Sequence, residues 1–401
     1  MKNILFVSPY AVVPPRYGGP LRVYNLCLNL SQYYRVKQFA QQVQRSNMSW
    51  NLSPLIQQVQ PNYTEYSSRN LLSLFLYALT SLKWNCPPVW QSAVLEISNP
   101  YWLREQLNWA DIIHVEHPWQ FSWIHKHVGK IKPIIFSAHN VESILYKTEQ
   151  IFAPRLVARK IIQAIHSQEL FAVNQANHVV VTAPEDLQLL VQKYAMSPLK
   201  ATLIPNGVNC TTLIPADSVL RQKRKLELGL SDKKVIVFSG SMHRPNAEAV
   251  QQIINWVENW HNDRICFLIV GTVGRMFAHI QHPLIRFTGS VEQTKPFFEA
   301  ADIAINPMIS GSGTNLKQLE FMAMGLPTIA TPIGARGIPI IDGVHGYIRE
   351  LSEFPNHINW LLENLDSQTD IGNNGRALVE KQFDWSIIAN KLLSVYEKFL
   401  N

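Results

Sequence analysis

Residues 311–331 read GSGTNLKQLEFMAMGLPTIAT, and Lys317 and Glu320 are the only charged residues in the run. Gly311, Ser312 and Gly313 predict a loop, and Thr314 or Asn315 an N-cap. Leu316, Leu319, Glu320 and Ala323 recur at helical spacing, which puts Glu320 inside an apolar stripe. Gly325 is expected just past the helix end, Pro327 forbids continuation, and PTIAT reads as a short buried strand. Lys317 falls in the first turn, where the helix dipole is already positive. A cation there costs roughly 0.3–1 kcal/mol unless an anion faces it. A carboxylate in an apolar stripe is costly unless donors meet it. A phosphate group would satisfy the lysine, and sugar hydroxyls the glutamate. The plainer alternative is a solvated Lys317 and a Glu320 paired with a neighbouring base.

Outward from this stretch, apolar strands alternate with helical segments along the whole chain. At 401 residues the chain exceeds the usual size of a single core, so two domains are expected. In the first half the strand candidates are ILFV, IIHVEH, PIIFSAH and HVVVTAP. In the second they are VIVFSGS, CFLIVGT, IRFTGS, IAINPM and PTIAT. Apolar strands separated by stretches such as NAEAVQQIINWVENW indicate parallel sheets covered by helices on both faces. The fold class is therefore α/β, with two Rossmann-like doubly wound domains. The boundary is placed at ATLIPNGVN, giving domains of residues 1–204 and 205–385 and a terminal helix of 386–401. Residues 36–100, rich in Gln, Asn and Ser, show no clear period.

The net charge of +7 favours anionic partners such as nucleotides, phosphorylated lipids or an acidic membrane face. Nucleic acid is not expected, since neither zinc-finger spacing nor an aromatic RNA-binding signature is present. Cys27, Cys86, Cys210 and Cys266 are scattered, so neither a disulfide framework nor a zinc site follows. The opening MKNILFVSPY reads as a first strand rather than a leader. No apolar run approaches the ~20 residues that span a bilayer. A cytoplasmic protein is the expectation. Two helices with basic residues, 67–84 and 155–166, either pack into a core or touch an anionic membrane face.

Ligands of open parallel sheets bind beyond the carboxyl ends of strands, and there the polar residues gather. After the first strand, Gly18 and Gly19 precede a helix, so backbone amides there can approach an anion. Taken alone, the pair is also compatible with a simple turn. It is not a dinucleotide fingerprint, because no G-x-G-x-x-G follows a strand. HVEHP supplies His114, Glu116 and His117, and SAHNVES supplies His139, Asn140 and Glu142. Imidazoles suit proton traffic or a sugar hydroxyl, although any one of them also suits a purely structural bond. No D-x-D pair occurs, which removes the simplest way to hold a divalent ion against a diphosphate. FSGSMHRPN places Gly240, His243, Arg244 and Asn246 at a strand–helix junction. There Arg244 is read either as a phosphate clamp or as a surface arginine beside a helix start.

The order Gly18-Gly19 loop, AHNVE, IPNGV, FSGSMHRPN, GTNLKQLEFMAMGLPTIAT and HGY resembles the GT-B glycosyltransferases of family four, over nearly the whole chain. The resemblance implies an N-terminal acceptor domain, a C-terminal nucleotide-sugar domain and a last helix that returns to the first. It implies that Glu320 receives ribose hydroxyls, that Lys317 and Arg244 carry the diphosphate charge, and that His139 stands near the reacting sugar. Gly240, Ser312, Gly313, Thr314, Asn315 and Leu316 would complete the donor side, with Gly18, Gly19, Glu116, His117 and Asn140 on the acceptor side. Two departures are plain: Ser312 stands where the family carries its first glutamate, and Ser241 where it carries an arginine. The implied reaction is retaining transfer of a hexosyl group from a nucleotide-diphosphate sugar to a glycan, glycolipid or other cell-envelope acceptor. No metal and no cofactor beyond that co-substrate are expected. Two rivals remain, a degenerate fold that binds nucleotide or carbohydrate without turnover and a sugar-nucleotide epimerase.

Overall fold

The computed structural model describes every residue except 16, 42–54, 69, 130, 149–150, 261, 312–313 and 401. It divides into two compact units. The first comprises Met1–Pro205 together with Ile388–Asn401, and the second Asn206–Ile387.

The first unit is built on eight strands: β1 (Asn3–Ser8), β2 (Arg35–Ala40), β3 (Leu55–Gln60), β4 (Tyr63–Ser67), β5 (Ile112–Glu116), β6 (Ile134–Ala138), β7 (His178–Val181) and β8 (Ala201–Leu203). Their order across the sheet is β3-β4-β2-β1-β5-β6-β7-β8. Ile4, Leu5, Phe6 and Val7 of β1 are all fully buried, as a parallel strand covered on both faces requires. The sheet is not wholly parallel, which corrects the expectation. β3 runs antiparallel to β4, joined through Pro61 and Asn62. Its polar residues leave it largely exposed at the edge of the sheet.

The second unit has β9 (Lys234–Ser239), β10 (Ile265–Val270), β11 (Ile285–Phe287), β12 (Ile303–Asn306), β13 (Thr328–Ala330) and β14 (Tyr347–Ile348). Their order is β11-β10-β9-β12-β13-β14, with every pairing parallel. Both units are thus Rossmann-like α/β domains. Near the centre of each sheet the strand order reverses, between β1 and β5 in the first unit and between β9 and β12 in the second. Crevices at such reversals are where open α/β sheets take ligands.

The last helix, Trp385–Leu400, has its residues from Ile388 onward in the first unit. Ile388, Leu392 and Tyr396 are fully buried there, four residues apart along one helical face. The segment 67–84 folds as a helix, Leu71–Tyr77, continued by a π-helical stretch, Ala78–Lys83. The segment 155–166 opens the helix Arg155–Gln175. Ile161 and Ile165 of that helix enter the core, while Leu156, Arg159 and Lys160 stay exposed. Among the described residues no helix is long and apolar enough to cross a membrane.

Candidate functional site

In the second unit the polar residues meet at the β9/β12 reversal. The helix Leu316–Ala323 follows the loop after β12, with Asn315 at its N-cap and no side-chain hydrogen bond to the first turn. Its positive end is therefore not satisfied by the cap. Gly325 takes the left-handed conformation just beyond the helix (φ +63°), as expected of a C′ glycine. Lys317 is partly buried rather than solvated. Its Nζ donates to Asn246 Oδ1 at 2.5 Å, lies 3.5 Å from Met308 Sδ and sits 4.3 Å above the Phe238 ring. Burial pushes the Lys317 ammonium down to about 7, with Glu320 opposing. Burial likewise pushes the Glu320 carboxyl up to about 7, with Lys317 opposing. Among the described residues each is the other's only opposing charge in these shifts, and burial outweighs it in both.

Two glycines allow close packing at this corner. A Cβ on Gly240 would lie 2.8 Å from Asn246 Cγ, so only glycine leaves room for the Asn246 amide that holds Lys317. Gly271, at φ +102°, brings the turn after β10 against the Gly240 carbonyl, which accepts from the Val273 amide at 3.1 Å. Arg244 does not join Lys317. Its Nε donates to Glu248 at 2.8 Å on the exposed face of the helix Arg244–Val257. Thr314 is buried, and Asn315 and Leu316 are partly exposed. Ser312 and Gly313 lie outside the described residues.

In the first unit a second cluster forms at the β1/β5 reversal. Glu116 ends β5 and is fully buried, its Oε2 accepting from His139 Nε2 at 2.5 Å. Its Oε1 is 3.3 Å from His114 Nε2, too poorly aligned for a hydrogen bond. His114 Nδ1 meets the Tyr396 hydroxyl at 2.7 Å. His117 has a left-handed backbone (φ +66°), rare outside glycine. Its Nε2 contacts the Tyr10 hydroxyl at 3.1 Å and its Nδ1 contacts Glu142 Oε1 at 2.9 Å. The rings of His117 and His139 lie 4.3 Å apart. Burial would raise the Glu116 carboxyl, but the flanking imidazoles outweigh it and hold the group well below the ordinary range. Burial pushes His139 down to about 4, His117 adding to the effect and Glu116 opposing it. Gly18 and Gly19 open the helix Gly18–Leu30. A side chain on Gly19 would strike the Tyr10 hydroxyl, so this glycine admits the tyrosine that touches His117. Asn140 directly follows His139 and is partly exposed.

Among the described residues no group of three or more His, Cys, Asp or Glu side chains is arranged to hold a metal ion. Comparison with known proteins adds the family. Residues 78–212 match the model described as glycosyltransferase family 4, and residues 233–364 match that of glycosyl transferases group 1. The chain belongs to the GT-B glycosyltransferases. Among its relatives, the D-inositol 3-phosphate glycosyltransferase of Corynebacterium diphtheriae is 24% identical over 314 residues, 71% of this chain and 70% of that protein. Spore coat protein SA of Bacillus subtilis is 23% identical over 318 residues, 72% and 78% of the two chains. Among solved structures, the sucrose-phosphate synthase of Thermosynechococcus elongatus superposes with a TM-score of 0.72 at 16% identity, covering 99% of each chain. HepE of Anabaena in complex with UDP superposes with a TM-score of 0.68 at 16% identity, covering 99% of this chain and 100% of that one.

This GT-B glycosyltransferase carries candidate residues in both of its units. Gly18, Gly19, Glu116, His117, His139 and Asn140 belong to the first unit, and Gly240, Arg244, Thr314, Asn315, Leu316, Lys317 and Glu320 to the second. Sequence reasoning missed three members of the first unit's cluster, Tyr10, Arg22 and Tyr396. Arg22 is fully buried and donates to the Ile204 and Pro205 carbonyls at 2.8 Å each. Its signal was available: a charge within the apolar helix LRVYNLCLNL, the same anomaly that drew attention to Glu320. Tyr396 gave no local signal.

Proposed function

We propose that this protein transfers a hexosyl group, with retention of anomeric configuration and without a metal ion, from a nucleotide-diphosphate sugar to a lipid-linked or glycan acceptor of the cell envelope. The observation that carries the reading is Lys317. It is a half-buried cation with a lowered proton affinity, set at the positive end of a helix beside Gly240 and Asn246. A diphosphate leaving group placed there would meet the ammonium and the first-turn amides as its charge grows. Preorganised donors of this kind are worth ~3–4 kcal/mol each in the transition state. Glu320, one turn further on, would accept from ribose hydroxyls and so select a nucleotide over free pyrophosphate. In the first unit His139 would hold a hydroxyl of the sugar being moved. Departure of the diphosphate and attack by the acceptor on one face then give retention without a covalent intermediate.

The acceptor class is supported by two relatives whose names specify one. One is the phosphatidyl-myo-inositol mannosyltransferase of Mycobacterium leprae, 26% identical over 226 residues. The other is an Escherichia coli galactosyltransferase acting on a diphosphoundecaprenol-linked sugar, 24% identical over 233 residues. A cytoplasmic protein resting on an anionic membrane face agrees with the surface of the first unit. Leu71, Phe75, Leu82, Phe152 and Leu156 are exposed beside Lys83, Arg155, Arg159 and Lys160. The Phe152 amide donates to the Trp84 carbonyl at 2.9 Å, which brings the two segments together. The test is a thermal-shift panel of UDP, GDP, ADP and their sugars, followed by transfer assays with the best binder. A ligand at 100 times its Kd should raise the unfolding midpoint by roughly 5–10 °C. A panel in which no nucleotide moves the midpoint would overturn the reading.

A further inference from the structure

The two neighbouring imidazoles of the first unit, His117 and His139, are held differently. Both ring nitrogens of His117 are engaged, by Tyr10 and by Glu142. His139 is engaged only through Nε2, and among the described residues its Nδ1 has no hydrogen-bond partner. Glu116 is fully buried, with Arg22 close enough to interact with it. With the permanently charged Arg22 guanidinium beside it, Glu116 is ionised and its carboxylate only accepts hydrogen bonds, so the proton between Glu116 and His139 resides on Nε2. A neutral imidazole with Nε2 protonated has an unprotonated Nδ1.

We propose that Glu116 is a positioning residue. It fixes His139 in the Nε2–H tautomer, so that Nδ1 is offered as a hydrogen-bond acceptor to a hydroxyl of the transferred sugar. Behind Glu116 stands His114, 3.3 Å from its Oε1 and itself held by the Tyr396 hydroxyl. The sugar rests on the hexosyl-transfer reading; the tautomer does not. Burial keeps His139 from taking a second proton near neutrality. The groups facing this pair are His114 and His117 at β5, Arg22 and Cys27 on the first helix, Tyr10 after β1, Glu142 after β6 and Tyr396 on the last helix. A buried anion flanked by two imidazoles is expensive to assemble, and holding one tautomer is a use that a neutral amide does not serve.

The test is nitrogen-15 NMR of the full-length protein labelled at histidine, between pH 5.5 and 8.5, with His139→Gln assigning the resonance. His139 should be neutral and protonated at Nε2 across the whole range. In Glu116→Gln, whose amide can donate as well as accept, the resonance should move toward a mixture of tautomers. The same variant should lose kcat on the order of 10–100-fold, as working imidazoles do without their orienting carboxylate. Its KM for the nucleotide sugar should rise as the hydroxyl contact is lost, while its affinity for the sugar-free nucleoside diphosphate should be unchanged. A wild-type His139 that is protonated at Nδ1, or doubly protonated at pH 7, refutes the proposal, even if Glu116→Gln does not fold. An unchanged tautomer in Glu116→Gln refutes it too. Absence of transfer with every nucleotide sugar, with the Nε2–H tautomer intact, overturns the hexosyl reading and leaves the tautomer assignment standing.

Discussion

Lys317 offers the most direct test, because its proton affinity connects structure to a measurable pH dependence. With Nζ held near pH 7 by burial, about half of the ligand-free molecules carry the charge at that pH. A diphosphate beside the ammonium would restore its affinity toward the ordinary lysine value of about 10.4. Binding at pH 7 should then take up about half a proton. The sign follows from the depressed value: the charged form is present below about 7 and lost as pH rises. The affinity for a nucleoside diphosphate should therefore fall about 15-fold between pH 7 and 8.5, since the limiting slope is tenfold, or 1.4 kcal/mol, per pH unit. Glu320 has the opposite sign, its ionised form appearing only above about 7. Nucleoside binding should fall about fivefold from pH 7 to 6, and the sugar nucleotide should show a bell centred near neutrality. Lys317→Met should abolish the alkaline limb and the proton uptake, lose about 1.5–3 kcal/mol for the diphosphate, and spare the nucleoside. Calorimetric titration in two buffers of different ionisation enthalpy reads the uptake directly. A diphosphate affinity that is flat from pH 6 to 8.5, or proton uptake that persists in Lys317→Met, would refute the reasoning.

Further outcomes are expected from the same geometry. Transfer should survive EDTA; loss of activity on chelation with recovery in Mn²⁺ would sink the metal-free mechanism. Gly240→Ala should push Asn246 aside and release Lys317, since the added Cβ would stand 2.8 Å from Asn246 Cγ. Titrations should then show diphosphate binding weakened more than nucleoside binding. Arg22→Met leaves the Ile204 and Pro205 carbonyls without their donor and Glu116 without its nearby cation, so urea denaturation should show a loss of roughly 3–5 kcal/mol. Gly334→Ala would force its Cβ to within 2.4 Å of the Asn306 carbonyl oxygen. It should cost roughly 1–3 kcal/mol by the same measurement.

What the sequence determined by itself is local. The loop, the helix Leu316–Ala323, the left-handed Gly325 and the strand after Pro327 follow from caps, periodicity and the backbone limits of glycine and proline. All of these act within a few residues. Strands such as ILFV and CFLIV were legible because a strand buried on both faces must be apolar throughout. β2, β3 and β4 were not legible, because RVKQFA, LIQQVQ and YTEYS carry polar residues that give no unbroken apolar run. Candidate chemistry was visible wherever a charge broke an apolar pattern, as at Lys317 and Glu320. Only the tertiary structure decided which partners those charges meet. Lys317 is held by Asn246, 71 residues away, and His114 is backed by Tyr396, 282 residues away. It also decided that Arg244 turns to Glu248, and that Glu116 rather than solvent faces His139. The reason is that periodicity and capping are set by neighbours along the chain. Burial, proton affinity and tautomer depend on whatever the closed fold brings within a few ångströms, and no short-range pattern encodes that.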